Sequence, residues 1–372
     1  MVKTIGNKEN ERGDVGYGQG YRKAPVTNRR KIIRHILNKF SFLPINYNSK
    51  YAQKHYLTLL SLISCNKAYA EGTSNVYQNL PSGDSLLFHM KKLKEDQVIK
   101  LFELATENLV SKGRGKALLH PRTEVIMALD FTDKYYYGEY DENFVVRGLS
   151  EKGTKYRYRY ATLSIVDNGV KIVVKSLPAY PTNKREDIVC KLLDYARKRF
   201  RIKLVLMDRG FYDHKILGIF DFFKINYCVM VRKNQRICAT IQSIQSFGFE
   251  LPYAYFYKMV NKFIHRTFIC KGREEGDIVV LATNSRFSPW YLLDSYTKRW
   301  NIETSFRKIN EFRLFTTSTN QTIRLFYHLF SEFMYNLWVI LREFSFGSSK
   351  IIVQLFKKEI EVLVLNFEKE YG

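Results

Sequence analysis

Three acids in this chain are placed where they could together hold divalent cations. Asp130 lies in MALDFTD (127–133), Asp208 ends the apolar run of VLMD (205–208), and Glu303 sits within YTKRWNIETSFRKINE (296–311). Read as one helix, the last stretch puts Tyr296, Arg299 and Glu303 on one face at spacings of three and four, with Phe306 and Arg307 continuing near it. A carboxylate framed by cations on a helix is ordinarily a surface ion pair. Three carboxylates delivered by separate elements suit another task. Hard divalent cations such as Mg²⁺ or Mn²⁺ take oxygen ligands, and two of them about 3.5–4 Å apart activate an attacking oxygen and stabilise a leaving one. Asp130, Asp208 and Glu303 are therefore the candidate catalytic residues and the candidate ligands of two ions. Asp133 falls on the opposite face if its strand continues, and Asp213 reads as a helix cap.

Acids at such separations need a frame. The spacing predicts a strand from Glu124 to Leu129 ending at Asp130, and further strands over Tyr156–Ile165 and Val170–Val174. Asp167, Asn168 and Gly169 form the turn between those two. Helical spacing follows over Lys184–Phe200, then an apolar strand over Leu204–Met207 ending at Asp208, a helix over 213–223 and a strand over Tyr227–Val231. Three antiparallel strands followed by helix, strand, helix, strand make an α/β sheet layered by helices.

That order is also the order of a ribonuclease-H-like mixed sheet. ALDFTDKYYYG around Asp130, MDRGFYD around Asp208, and the pattern Y-x2-R-x3-E at Tyr296, Arg299 and Glu303 resemble the signatures of DDE transposases from prokaryotic insertion sequences. Within those, the chain resembles the group with a β-rich insertion before the last acid. Asp130 and Asp208 are 78 positions apart, and Asp208 and Glu303 are 95, room for an insertion over 232–289. The resemblance spans Glu124 to Leu341. It implies a catalytic domain divided into 117–231 and 290–345, and a helical tail over 346–372. It also implies double-stranded DNA as the partner, two Mg²⁺ or Mn²⁺ ions, a homodimer at the element's ends, and a cytoplasmic, nucleoid-associated prokaryotic protein. Water is then the first nucleophile, and the 3′-hydroxyl it frees attacks target DNA. Two other readings share the motifs, a catalytically silent DNA-binding descendant and a metal-dependent nuclease. One residue departs from the family's pattern: Asn310 stands where a Lys usually follows the Glu by seven positions.

Composition agrees with a polyanionic partner. In 372 residues, 60 Lys and Arg face 36 Asp and Glu, a formal charge of +24. Residues 1–28 read as a disordered basic arm without the apolar core of a signal peptide. Residues 29–116 read as helical and DNA-binding. In SGDSLLFHMKKLK (82–94), a capped helix would expose His89, Lys91, Lys92 and Lys94, either as a DNA-reading helix or as the solvated face of a bundle. Further expected DNA contacts are Tyr296, Arg299, Arg307, Arg209 beside Asp208, and Trp290, with Trp300 anchoring its own helix in the core. Tyr135–Tyr137 could stack on bases or pack. Five scattered cysteines without a C-x-x-C pair point to a reducing compartment and away from a zinc finger. Ile323–Leu341 is long and apolar, but His328, Glu332 and Asn336 in its interior mark a buried soluble helix.

Overall fold

Five consecutive buried residues, 125–129, put strand β1 (Glu124–Tyr136) in the middle of a sheet covered on both faces. The structure, a computed structural model, describes residues 43–45, 49–77, 79–111, 120, 122–167, 171–246, 253–260, 263–271, 277–344 and 352–371. The expected basic arm, the start of the N-terminal helices, the loop 112–116 and most of the Asp167–Gly169 turn lie outside the described residues.

Strand β1 pairs antiparallel with β3 (Thr154–Ile165), which carries β2 (Val146–Glu151) at one end and β4 (Ile172–Pro178) at the other. On its other side β1 runs parallel to β5 (Arg201–Met207), and β5 runs parallel to β6 (Tyr227–Met230). Helices α5 (Arg185–Arg197) and α6 (His214–Phe222) make the crossovers. This is the mixed sheet the sequence predicts, with β2 added. β2 escapes notice because it is an exposed edge strand with no apolar alternation.

The segment 232–289 begins with a helix, α7 (Gln235–Ser246), and then continues the same sheet. Strands β7 (Tyr253–Val260), β8 (Phe263–Lys271) and β9 (Ile278–Thr283) follow, and β9 pairs antiparallel with β6. Among the described residues nine strands thus form one sheet, to which the segment 232–289 contributes three.

The N-terminal helices are α1 (Gln53–Asn66), α2 (Ala70–Ser74), α3 (Gly83–Met90) and α4 (Glu95–Val110). Their apolar residues join the core of the sheet through α10 (Gln321–Phe344), where Phe102 of α4 meets Phe326 edge to face at 5.1 Å. Glu95 accepts a hydrogen bond from Tyr180 at 2.6 Å, and Glu107 pairs with Arg199. His89, expected on the surface, is buried edge-on against Tyr56, while Lys91, Lys92 and Lys94 are exposed. A histidine ring is largely apolar and takes the inward position on a helix with one apolar face.

Between these lie α8 (Pro289–Thr297) and α9 (Trp300–Ile309); α11 (Val353–Tyr371) closes the chain and sets Phe356 edge-on against Phe312. In α10 two of the interior polar groups, Asn336 and Glu332, are paired as a protein core requires. Asn336 exchanges two backbone hydrogen bonds with Val173, and Glu332 accepts from Ser176. No helix among the described residues is long and apolar enough to cross a membrane.

Candidate active site

Alternation along β1 decides which way its acids face. Ile126 and Ala128 enter the apolar layer formed with Leu204, Leu206, Leu292, Tyr296 and Ile302, so the next same-side residue, Asp130, looks toward α8 and α9. Asp133 points to the other face, where Arg159 holds it bidentately at 2.7 and 2.8 Å. Asp208 follows β5, parallel to β1, and its backbone carbonyl starts the short 3₁₀ turn Arg209–Phe211. Phe211 stacks on Phe131 with ring centres 4.7 Å apart, which clamps the segment after Asp208 against the strand carrying Asp130. Asp213 caps α6 by accepting from the Lys215 amide at 2.8 Å.

Glu303 arrives on α9. The stretch expected as one helix is two, joined at Lys298 and Arg299 by hydrogen bonds of the tighter i→i−3 kind. Both joint residues keep helical dihedrals, so Tyr296, Arg299 and Glu303 still face one way. Lys298 pairs with Asp167 at 2.9 Å and Asn301 donates to the Val166 carbonyl, fixing α9 to the end of β3.

Arg299 binds the acids together. It is 6% exposed, and its guanidinium contacts Asp130 at 3.2 Å and Glu303 at 2.9 Å. Burial pushes the Asp130 carboxyl up to about 6, against the pull of Arg299 and of the Phe131 amide, and the charges of Asp208 and Glu303 push the same way as burial. The guanidinium itself is held above its ordinary range by Tyr296 and the three acids, in spite of its burial.

All three acids thus converge on one place at the ends of β1 and β5, within electrostatic reach of one another. Their donor atoms are all oxygen, which fits a hard divalent cation. Their present spacing holds Arg299 and not an ion: among the described residues no three His, Cys, Asp or Glu side chains are grouped closely enough to ligate a metal.

The residues expected at DNA fall into two sets. Tyr296 is buried, and its hydroxyl donates to the Met207 carbonyl at 3.2 Å, one residue before Asp208. It therefore fixes α8 to the end of β5 and presents no surface to a duplex. Arg299 is likewise turned inward, because two carboxylates on its own side outbid solvent for the guanidinium. Arg209, Arg307, Lys91, Lys92 and Trp290 are all exposed. Trp300, expected in the core, is 59% exposed, since Ile302, Ser305 and Ile309 form the inward face of α9. Its ring lies 5.4 Å from the Arg299 guanidinium carbon.

The sequence reading missed Lys134. Four residues beyond Asp130 on the same strand face, it donates to the Asn310 side chain at 2.8 Å. A cation from β1 therefore stands beside the position where the resemblance leads one to expect a lysine on the helix. The even spacing from Asp130 was the signal available.

The sequence profile of the family described as transposase DDE domain matches residues 122–336, a span that contains all three acids and Arg299. The chain belongs to the transposase DDE domain family. Among solved structures, the piggyBac transposase synaptic complex with hairpin DNA is similar at a TM-score of 0.55 and 12% identity, over 93% of this chain and 82% of that one. A Drosophila P element transposase strand transfer complex aligns over 92% of this chain and 71% of that one at 10% identity, with a TM-score of 0.29. The first likeness shows that this transposase-family chain shares the ribonuclease-H-like fold. No curated protein matches the sequence.

Proposed function

We propose that the chain is a DNA transposase of the prokaryotic insertion-sequence kind, which binds the ends of its element, cleaves them and joins the freed 3′-hydroxyls to target DNA. The observation that carries this reading is the convergence of Asp130, Asp208 and Glu303 around Arg299 in a chain of the transposase DDE domain family. Asp130, Asp208 and Glu303 would hold two Mg²⁺ or Mn²⁺ ions, which when bound supply Lewis acidity to the attacking and leaving oxygens. The protein's own part is positional. Arg299 balances the acids until cations arrive and is then free to bind a phosphate, for which its planar fork is suited. The Phe131–Phe211 stack and the Tyr296 hydroxyl keep the three carboxylates on converging elements. Exposed Arg209, Arg307, Lys91 and Lys92, with the Trp290 ring, offer phosphate and base contacts outside the acids. One copy of the chain at each end of the element makes a homodimer the working unit.

The test uses the DNA flanking the gene. Matching inverted repeats there identify the ends, and labelled duplexes bearing them are incubated with the protein, Mg²⁺ and a target plasmid. End-dependent joined products are expected. Cutting without joining would replace this reading with a nuclease, and binding without either would replace it with a silent DNA-binding descendant.

A further inference from the structure

Beyond Asp130 the same face of β1 and β3 opens into a cavity of about 530 Å³ that the proposed chemistry does not use. The register brings Lys134 opposite Tyr158 and Thr132 opposite Tyr160, so this wall is aromatic and cationic. The opposite wall comes from α10 and from the segment 313–317. At about 3.3 Å per residue, Lys134 lies roughly 13 Å along the strand from Asp130.

Two properties of the cavity point to a ligand. Its cations are uncompensated: Lys134, Lys152, Arg313 and Arg324 line it, and none of them has a carboxylate within ion-pair distance among the described residues. Arg324 instead lies over the rings of Tyr136 and Tyr158 at 4.8 and 5.0 Å, and Arg313 over Phe315 at 5.0 Å. The nearest buried acid, Glu332, is engaged by Ser176 at 2.7 Å and stands 3.2 Å from His328. Gathering like charges this way is unfavourable, and it pushes Lys134 down to about 8 and Arg313 below its ordinary range, with burial the larger cause in both. Independently, two buried polar atoms of the lining, Tyr327 Oη and His328 Nδ1, have no hydrogen-bond partner among the described residues. Buried polar atoms are rarely left so unless something arrives to meet them.

The aromatic lining adds the second half of the ligand. Tyr137 and Tyr69, 68% and 51% exposed, are the open rings of the lining, and Tyr69 already lies against Phe315. A phosphate suits the cations and a flat base suits the rings; a cavity of this size is within the ordinary range for a small ligand.

We propose that this cavity binds one nucleotide unit, its phosphate held by Lys134, Arg313 and Lys152 and its base stacked on Tyr137 or Tyr69. The inference rests on the reading of the chain as a DNA-processing protein, and the natural source of the nucleotide is an unpaired residue of a DNA strand whose backbone continues to the acids. A free nucleotide offers the same chemistry.

The full chain, without added divalent metal, is titrated with three fluorescent probes. They are a duplex with one unpaired 2-aminopurine deoxynucleotide, the same duplex with that base paired, and the free deoxynucleoside monophosphate of 2-aminopurine. Stacking on tyrosine should quench the unpaired probe, and preference over the paired duplex should be about tenfold, the effect of one stacked base. Arg313→Gln and Lys152→Gln should each reduce that preference several-fold, and Tyr137→Leu should remove most of the quench. Lys152 is exposed on the β2–β3 turn, so its variant carries the test if Arg313→Gln fails to fold. Tight binding of the free monophosphate with the same dependence on Lys152 and Arg313 would support the pocket and assign it a soluble nucleotide. Equal binding of paired and unpaired duplexes without quenching, or quenching untouched by both cation variants, would overturn the proposal. Because no metal or cleavage is involved, a failed titration beside intact strand transfer counts against the pocket alone. Normal quenching without Mg²⁺-dependent cleavage counts against the enzymatic reading alone.

Discussion

Asp130 and Lys134 share one face of one strand, yet their surroundings are opposite in sign. Around Asp130 a single buried arginine pairs with two carboxylates, Asp130 and Glu303, and feels the charge of a third, Asp208. Around Lys134 four cations line a cavity of tyrosines, and among the described residues none of them has a carboxylate within ion-pair distance. Each region departs from electrical balance, and each imbalance suits the group proposed for it: divalent cations for the acids, a phosphate for the bases. A folded protein ordinarily pairs its half-buried charges, because an unpaired one is costly to desolvate. Two opposite imbalances side by side on β1 fit the proposed reading, in which one phosphodiester strand runs past both.

The contrast can be broken first at the acids. Asp208→Asn and Glu303→Gln keep shape and remove charge, and each should lower Mg²⁺-dependent strand cleavage by at least about a thousandfold, the effect of losing several kcal/mol of metal-supplied stabilisation. Binding of the same DNA, measured by filter retention or anisotropy, should change only a few-fold. Removing the arginine instead should damage the fold. Arg299→Ala leaves the mostly buried Asp130 carboxylate without its ion-pair partner and should cost about 3 kcal/mol in urea unfolding at pH 8. At pH 5 the cost should be smaller, because Asp130 can then take up a proton.

Asp130→Asn should do the reverse to stability. The carboxyl is raised from 3.8 to about 6 in the folded protein, so between those values the native state holds the proton more tightly than the unfolded chain. Wild-type stability therefore falls as pH rises through that window and levels off above it. The variant should be no more stable than wild type below pH 4, and more stable above pH 6 by up to about 2–3 kcal/mol, while losing cleavage. A gap that is constant with pH would contradict the burial argument. The smallest effect belongs to the cationic cavity, where Arg313→Gln relieves like-charge crowding and should stabilise by about 0.5–1 kcal/mol at low salt, with the gain shrinking as salt is added. A destabilisation would mean that Arg313 is a structural partner and not a waiting one.

The elements that carry the three acids were legible in the sequence. Apolar runs ending in Asp130 and Asp208 read as strands, which the fold makes parallel neighbours, and the three-and-four spacing of Tyr296, Arg299 and Glu303 survives even though the helix is broken at Lys298. What periodicity does not disclose is what covers a face. Tyr296 and Arg299 look like DNA contacts in the sequence because they flank an acid on a polar-looking stretch. They are buried because the end of β5 and Asp130 lie directly beneath them. Trp300 fails in the opposite direction: a large ring reads as core, but it sits on the outward side of α9. The cationic cavity was not legible at all. Lys134, Arg313 and Arg324 are spread over some 190 positions, and only the pairing of β1 with β3 and the packing of α10 bring them to one wall.

The central claim is that Asp130, Asp208 and Glu303 act as one metal-binding unit, and calorimetric titration of the protein with Mn²⁺ tests it most directly. Wild type should bind Mn²⁺ at pH 8 and progressively less well as pH falls through about 6, where Asp130 is protonated. Asp130→Asn, Asp208→Asn and Glu303→Gln should each weaken that binding by about tenfold or more, since each removes a charged oxygen ligand. Mn²⁺ affinity unchanged in any one of the three folded variants would take that residue out of the metal site and contradict the account.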